Sequence, residues 1–194
     1  MYIIKEGASA YNYDKMRLSY DDFLKITKDN QNRYEYIDGK IYHLTSPSIM
    51  HQKISGNIYT ILSLWFKNKK CLPLFSPLDV TLSKGNDKNV VQPDILVICD
   101  PENVDENEKY IGILELVIEV LSKSTKSHDL IRKLDLYKDS GVSEYWIINP
   151  DSEEIYLYNF RNNEIKDMCA YKNKESVRST VFERLKIELE EIFG

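Results

Sequence analysis

The chain has 194 residues, of which 42% are hydrophobic and 29% charged, and its formal net charge is −5. This balance is typical of a single globular domain and excludes a disordered or fibrous chain. The acidic total does not by itself indicate nucleic-acid binding, although a local basic strip beside an acidic site is compatible with it. No apolar run reaches the ~18 residues that a membrane helix needs, and residues 1–15 lack the pattern of a secretory signal.

The three cysteines are odd in number and far apart in sequence, at Cys71, Cys99 and Cys169. Their spacing matches neither a zinc site nor a disulfide framework. We therefore expect a cytoplasmic protein, because a reducing compartment keeps such cysteines as thiols.

Residues 1–17 are expected to be an N-terminal extension, and 18–194 a single domain. Asp38-Gly39 between two alternating segments is a strong hairpin signal. Helical spacing of apolar residues predicts helices at 19–27, 50–68 and 127–140. Strands are predicted at 74–82, 90–99, 113–121 and 144–149, followed by a hairpin of 155–160 with 166–171. Residues 183–193 fit a last strand or a helix. This order predicts an α/β fold, a mixed sheet covered by helices with extra hairpins at both ends.

Two acidic residues stand in apolar strands. Asp94 follows Pro93 at the start of one strand, and Glu119 lies within another. A buried carboxylate is costly unless it is paired or binds a cation, and adjacent strands would bring these two together. Carboxylate oxygens are the ligands that Mg²⁺ and Mn²⁺ prefer.

The alternation of side chains along a strand sharpens this prediction. Glu119, Leu121 and Lys123 fall on one face, together with Val117 and Glu115. A lysine two residues after Glu119 would place a positive charge beside the metal and the phosphate, but position 121 is Leu. Such a lysine must therefore come from Lys123, if the strand extends that far, or from Lys133 on the following helix. Each residue also has a purely structural alternative. Glu119 could form a salt bridge to a neighbouring strand, and Asp94 could hydrogen-bond a loop at the start of its strand. Lys133 could be a solvated helix lysine that pairs with Asp129.

Several segments, taken in this order, resemble the Uma-type family within the PD-(D/E)XK, restriction-endonuclease-like superfamily. They are RYEYIDGKIYHL, SPSIMHQKI, SPLDVTL, VVQPDILVICDPE and LVIEVLSKSTKSHDLIRKLDLYKDSGVSEYWIINP. The resemblance runs from about Leu18 to the C-terminus. It implies a three-layer restriction-endonuclease-like core and Mg²⁺-dependent cleavage of DNA by in-line attack that leaves a 5′-phosphate, with Mn²⁺ as a substitute ion.

The same resemblance assigns site residues. The family's Pro-Asp motif falls on Pro93-Asp94, its second acid on Glu119, and its helical lysine on Lys133. Its Tyr-Glu and His-Gln pairs fall on Tyr34-Glu35 and His51-Gln52. This chain departs from the family at Lys123, where relatives have Pro, and at Arg132, where they have Glu. The first departure argues against Lys123 as the required lysine.

The expected catalytic residues are therefore Asp94, Glu119, Lys133 and Glu35, with Asp94 and Glu119 as metal ligands. Expected supporting residues are Gln92, His51, Asp79 and Lys123. The segment from Lys123 to Lys138 has a local excess of positive charge, and it predicts phosphate contacts by Lys126, Arg132 and Lys138.

The expected partner is DNA, with no membrane association and with a homodimer rather than a monomer. Two alternatives stay open: a catalytically inactive nuclease-fold module that binds nucleic acid or a protein, and a metal-dependent hydrolase of another phosphoester.

Overall fold

The computed structural model describes residues 17–28, 30–106, 109–122 and 128–194. Apart from Arg17, the predicted N-terminal extension lies outside them. In the described part of the chain, no helix is long and apolar enough to cross a membrane.

The N-terminal half begins with α1 (Tyr20–Thr27), the hairpin β1 (Tyr34–Ile37) and β2 (Lys40–His43), and α2 (Ile49–Phe66). Four strands follow: β3 (Leu72–Phe75), β4 (Val80–Lys84), β5 (Asp87–Val91) and β6 (Ile95–Ile98). The first hairpin turns at Asp38 and Gly39, both with positive φ, as the Asp-Gly signal predicts. Ser48 caps α2 by accepting a hydrogen bond from the His51 amide at 3.2 Å, which starts the helix beside the site.

The C-terminal half contains β7 (Leu116–Val120), α3 (His128–Asp139), β8 (Glu144–Asn149), β9 (Glu154–Arg161) and β10 (Glu164–Lys172). It ends with β11 (Ser176–Arg178), β12 (Lys186–Glu188) and α4 (Leu189–Phe193). The alternatives of strand and helix for residues 183–193 are therefore both realised, one after the other. Gly141, at a φ of 82°, follows α3, at the position where glycine commonly ends a helix.

The main sheet has six strands in the order β10-β9-β8-β7-β6-β3. β7 and β8 are parallel, with α3 between them in sequence, and β6 and β7 are antiparallel. A second sheet of four strands has the order β2-β1-β5-β4. The mixed α/β class is thus as predicted.

Two cores lie on opposite faces of the six-stranded sheet. Even-numbered residues of β7, such as Ile118, pack with α2 and α4. Odd-numbered residues, such as Val117, pack with α3 and the four-stranded sheet. Because side chains alternate along a strand, Glu119 must lie on the α3 face, as its predicted parity required.

Two predicted strands are wrong as continuous elements. Residues 74–82 divide into β3 and β4, and residues 90–99 divide into β5 and β6. Pro77 and Pro93 lie in the gaps, where the chain leaves one sheet for the other, because proline has no amide to continue a ladder. The N-terminal hairpin is therefore part of the four-stranded sheet rather than an added extension.

The absence of a disulfide was also a wrong prediction, because Cys71 and Cys99 are bonded to each other. They lie 28 residues apart in sequence. The antiparallel register of β3 and β6 pairs Leu72 with Ile98, and so places the two cysteines opposite each other one step further on. Cys169 is free.

Candidate active site

A cleft of about 620 Å³ lies where β6 begins and β7 ends. It is lined by Glu35, His51, Asp94, Glu119 and Lys133, which come from β1, α2, the start of β6, β7 and α3. Both predicted metal-binding carboxylates therefore face one space rather than opposite sides of the sheet.

Asp94 is held at the strand entry by two donors. Its Oδ2 accepts a hydrogen bond from the Val120 amide at 2.8 Å and lies 3.0 Å from Nε2 of His51. Because Val120 follows Glu119, the first contact fixes the two acids side by side. His51 lies in the first turn of α2 and is a buried partner of Asp94.

Glu119 is almost fully buried and shares its cation with a second acid. Lys133 Nζ donates to Glu119 Oε1 at 2.8 Å and to Glu35 Oε1 at 2.9 Å. Tyr137 donates its hydroxyl to the same Glu119 oxygen at 2.7 Å. The alternative of a solvated helix lysine was therefore wrong, since Lys133 is enclosed between two carboxylates.

Burial and neighbouring charges shift the pKa values of this cluster. Burial raises the pKa of Glu119 to about 7, and the charges of Asp94 and Glu35 add to the effect while Lys133 opposes it. Burial acts to lower the pKa of Lys133, but the two carboxylates outweigh it and raise that pKa well above its ordinary value. Lys133 is therefore a permanent cation.

The same forces act on His51. Burial acts to lower its pKa, but the hydrogen bond with Asp94 and the charges of Asp94 and Glu119 outweigh it, so the pKa of His51 is raised. When the three carboxyl groups are ionised, one lysine cannot balance them, and the second cation is a histidine rather than an arginine or lysine. With Asp94, Glu119 and Glu35 all ionised, the site keeps one negative charge more than Lys133 and a protonated His51 balance, and protonation of Glu119 removes that excess.

The donor set fits a hard divalent cation. Among the described residues, hydrogen bonds engage Oδ2 of Asp94 and Oε1 of Glu119, which leaves the other oxygen of each carboxylate for a ligand. No three His, Cys, Asp or Glu side chains in the described segments form a metal cluster. Mg²⁺ does not require one, because it commonly binds through one or two carboxylates, with water and substrate phosphate completing its shell.

Two of the predicted supporting residues, Gln92 and Asp79, form a hydrogen-bonded chain that begins at Glu35. Gln92 donates its amide N–H to Glu35 Oε1 at 3.0 Å and its side-chain amide to Asp79 Oδ1 at 2.7 Å. Arg33 Nε donates to the Gln92 side-chain oxygen at 2.9 Å. Asp79 also pairs with Lys109 at 2.9 Å, so it braces Gln92 rather than facing the metal ligands.

The predicted phosphate contacts have different outcomes. Lys123 and Lys126 lie outside the described residues. Arg132 places its guanidinium 4.5 Å from the centre of the Tyr42 ring, at the cleft wall. Lys138 pairs with Asp135 at 3.2 Å and Asp139 at 3.5 Å, and its contact with phosphate stays a prediction.

Two tyrosines of the site were missed from the sequence. Tyr137 lies four residues after Lys133, a spacing that puts both on one helical face. Tyr145 stands in an apolar strand, where core packing is the ordinary role of an aromatic residue. It is fully buried, yet it lines the cleft, and its hydroxyl has no hydrogen-bond partner in the described part of the chain.

The chain is similar to known proteins along most of its length. Residues 20–190 match the model of the Uma2 family, described as "Putative restriction endonuclease". Two uncharacterized proteins of Synechocystis sp. are similar. One, slr1290, is 31% identical over 73% of this chain and 74% of its own length. The other, sll1609, is 24% identical over 66% and 72%.

A solved structure has the same fold. It is described as a putative nuclease belonging to DUF820 from Anabaena variabilis, and it superposes with a TM-score of 0.75 at 20% identity. The match covers 91% of this chain and 97% of the other. The resemblance seen in the sequence is confirmed: the chain belongs to the Uma2 family and has a nuclease-like fold.

Proposed function

We propose that this protein is a metal-dependent endonuclease that hydrolyses DNA phosphodiester bonds. The observation that carries the proposal is the convergence of Asp94, Glu119 and Lys133 in one cleft, with Lys133 2.8 Å from Glu119. Two carboxylates alone would repel a phosphate, and Lys133, which is already shared by Glu119 and Glu35, does not reverse the sign of the site. A divalent cation bound by the acids would reverse that sign.

Asp94 and Glu119 would hold Mg²⁺, with Mn²⁺ as a substitute. When bound, such an ion supplies Lewis-acid stabilisation of the charge at phosphorus and acidifies a bound water. His51 and the Val120 amide hold Asp94 Oδ2, so that its other oxygen can face the ion. Tyr137 and Lys133 do the same for Glu119.

Lys133 is the group of this chain that acts on the reacting atoms. Held by Glu35 and Glu119, its ammonium points into the cleft, where it orients the attacking water or neutralises the phosphate oxygens. Water attacks phosphorus, the bond to the 3′ oxygen breaks, and that oxygen takes up a proton. The products are a 3′-hydroxyl and a 5′-phosphate.

Cleavage of plasmid DNA by the purified full chain tests the proposal, in Mg²⁺ and in excess chelator. We expect cleavage only with the ion, and a loss of roughly a hundredfold or more in Asp94→Asn and in Glu119→Gln. Glu115→Gln is the matched control, because it alters another glutamate next to β7 that lies outside the cleft. Full activity in either site variant would overturn the assignment.

The second candidate is a nuclease-fold module that binds nucleic acid or protein without catalysis. The ion pairs that already join Lys133 to Glu35 and Glu119 favour it, because the acids are partly satisfied without a metal. Binding of DNA with no cleavage and no uptake of Mg²⁺ or Mn²⁺ would select this candidate. Cleavage of RNA or of another phosphoester in place of DNA would select a different hydrolase.

Three further proposals concern the whole protein. We propose that residues 18–194 act as one domain, which the family match over 20–190 supports. We propose a homodimer formed through β10, an edge strand that exposes Ile165 and Met168. Light scattering of the purified chain tests it.

A cytoplasmic location rests on the cysteine spacing, and the Cys71–Cys99 disulfide counts against it, because disulfides are uncommon in a reducing compartment. Thiol labelling of the protein in freshly lysed cells, with alkylation at lysis, tests this location.

A further inference from the structure

An exposed aromatic ring lies in the cleft beside the acids. Phe75 is 54% exposed, although it is large and apolar, and it lines the same cleft as Asp94 and Glu119. The proposed mechanism gives Phe75 no role. A single exposed apolar side chain needs no explanation, but one on the wall of a polar cleft offers a flat surface to whatever enters.

The ring has an aromatic neighbour, and the residue that follows Phe75 is bonded to the site. Tyr59, on α2, meets it edge to face with the ring centres 4.5 Å apart. The amide of Ser76 donates to the Asp94 backbone oxygen at 3.0 Å, and the Ser76 hydroxyl accepts from Arg33 at 3.1 Å. Phe75 thus lies next to a residue that is bonded directly to Asp94.

The same face of α2 runs from the acid to the ring. His51, Ser55 and Tyr59 follow each other at intervals of four residues and all line the cleft. His51 contacts Asp94, and Tyr59 contacts Phe75. A ligand that follows this face passes from the charged end of the cleft to an aromatic end with no acidic side chain between them on the helix.

We infer that Phe75, braced by Tyr59, is the stacking surface for an unpaired base next to the phosphate at Asp94, so that single-stranded DNA is the preferred substrate. This inference rests on the proposed function. Aromatic side chains bind single strands because every base has a face to stack on, whereas bases inside a duplex are covered on both faces.

Binding of fluorescein-labelled oligonucleotides tests the inference. Anisotropy is measured in Mg²⁺ with the full chain carrying Asp94→Asn, in which cleavage is not expected. The probes are a single-stranded 20-mer of mixed sequence and the same 20-mer as a duplex. The substitutions added are Phe75→Ala and Phe75→Trp. Leu72→Ala is the control, because Leu72 is 43% exposed on the same strand and lies outside the cleft.

We expect tighter binding of the single strand than of the duplex. Phe75→Ala should weaken single-strand binding by about tenfold, within the range for loss of one stacked base, while duplex binding changes little. Phe75→Trp should restore it, and Leu72→Ala should have no effect. Unchanged single-strand binding in Phe75→Ala, an equal loss for both probes, or no binding of the single strand would overturn the inference.

The two proposals fail in different ways. If Mg²⁺-dependent cleavage is present and depends on Asp94 while Phe75→Ala binds normally, the stacking surface is wrong and the nuclease stands. If the Phe75 effect is present but the protein with Asp94 intact never cleaves, the binding surface stands and hydrolysis is wrong.

Discussion

Lys133 holds together a cluster that its own charge does not balance. It is the cation shared by Glu35 and Glu119, and both acids are buried. A buried charge left without its partner is strongly destabilising, whereas a complete pair is close to neutral. The stability of the site and its proposed activity therefore depend on the same ammonium group.

Lys133→Met should lower the free energy of unfolding at neutral pH by about 3 kcal/mol, because it leaves two carboxylates facing each other. Urea unfolding measures this. Adding Glu35→Gln should recover part of the loss by removing one of the charges, while cleavage stays absent. If Lys133→Met alone is as stable as the unaltered protein, Lys133 has no structural role.

In the kinetics, Lys133→Ala should lower the rate of cleavage more than the affinity for DNA. Single-turnover cleavage and oligonucleotide binding separate the two effects. A larger effect of Lys123→Ala would mean that the catalytic lysine was assigned to the wrong residue.

The hydroxyl of Tyr145 offers a second test at the level of one atom. It is buried without a partner among the described residues, a state that costs about 1 kcal/mol or more. Tyr145→Phe should therefore raise the melting temperature and at the same time lower cleavage, if the hydroxyl serves a bound phosphate or water. A lower melting temperature, or unchanged cleavage, would contradict this role.

Strand alternation predicted the most important feature of β7. The parity of residues 115–121 placed Glu119 on the face of Val117, and the structure puts both toward α3. Apolar spacing is a weaker guide in α3, where Ile131 is 62% exposed and Leu136 is buried. The difference arises because the helix buries the face that carries Lys133 and Tyr137 toward the acids.

Strand boundaries could not be obtained from apolar content alone. Residues 74–82 and 90–99 are each apolar enough for one strand, but Pro77 and Pro93 separate pieces that belong to different sheets. Pro93 indicates an edge, a bulge or a strand start, but it does not by itself predict a change of sheet. Asp94 owes its place in the cleft to that change of sheet.

Glu115, just before β7, is a half-buried acid outside the site. Burial raises its pKa, the charge of Asp100 adds to the effect, and its Oε2 has no hydrogen-bond partner in the described residues. A raised pKa means that folding favours the uncharged form. Its stabilising contribution is present below the ordinary value of 4.5 and is lost as the pH rises through the higher pKa of the folded state.

Glu115→Gln should therefore stabilise the protein at neutral pH and make little difference below pH 4.5, where the acid is uncharged in both states. Urea unfolding of the two proteins at both pH values measures the difference. A stabilisation that is the same at both pH values would show that the charge of Glu115 is not its cause.

At the scale of the whole molecule, contacts between distant segments were the hardest to foresee. The acids and Lys133 followed from motif and parity, but the pairing of His51 with Asp94 depends on how α2 lies over the sheet. The Cys71–Cys99 bond depends on the register of β3 against β6. Neither signal is local, and so spacing rules assigned these residues to weaker roles or to none.

The central claim is that Asp94 and Glu119 together bind one divalent cation. Calorimetric titration of Mn²⁺ into the full chain tests it directly, with Asp94→Asn, Glu119→Gln and the control Glu115→Gln in parallel. We expect one ion to bind the unaltered and control proteins, and roughly tenfold or more weaker binding in each site variant. Undiminished Mn²⁺ binding in both site variants, or no binding by the unaltered protein, would contradict the account.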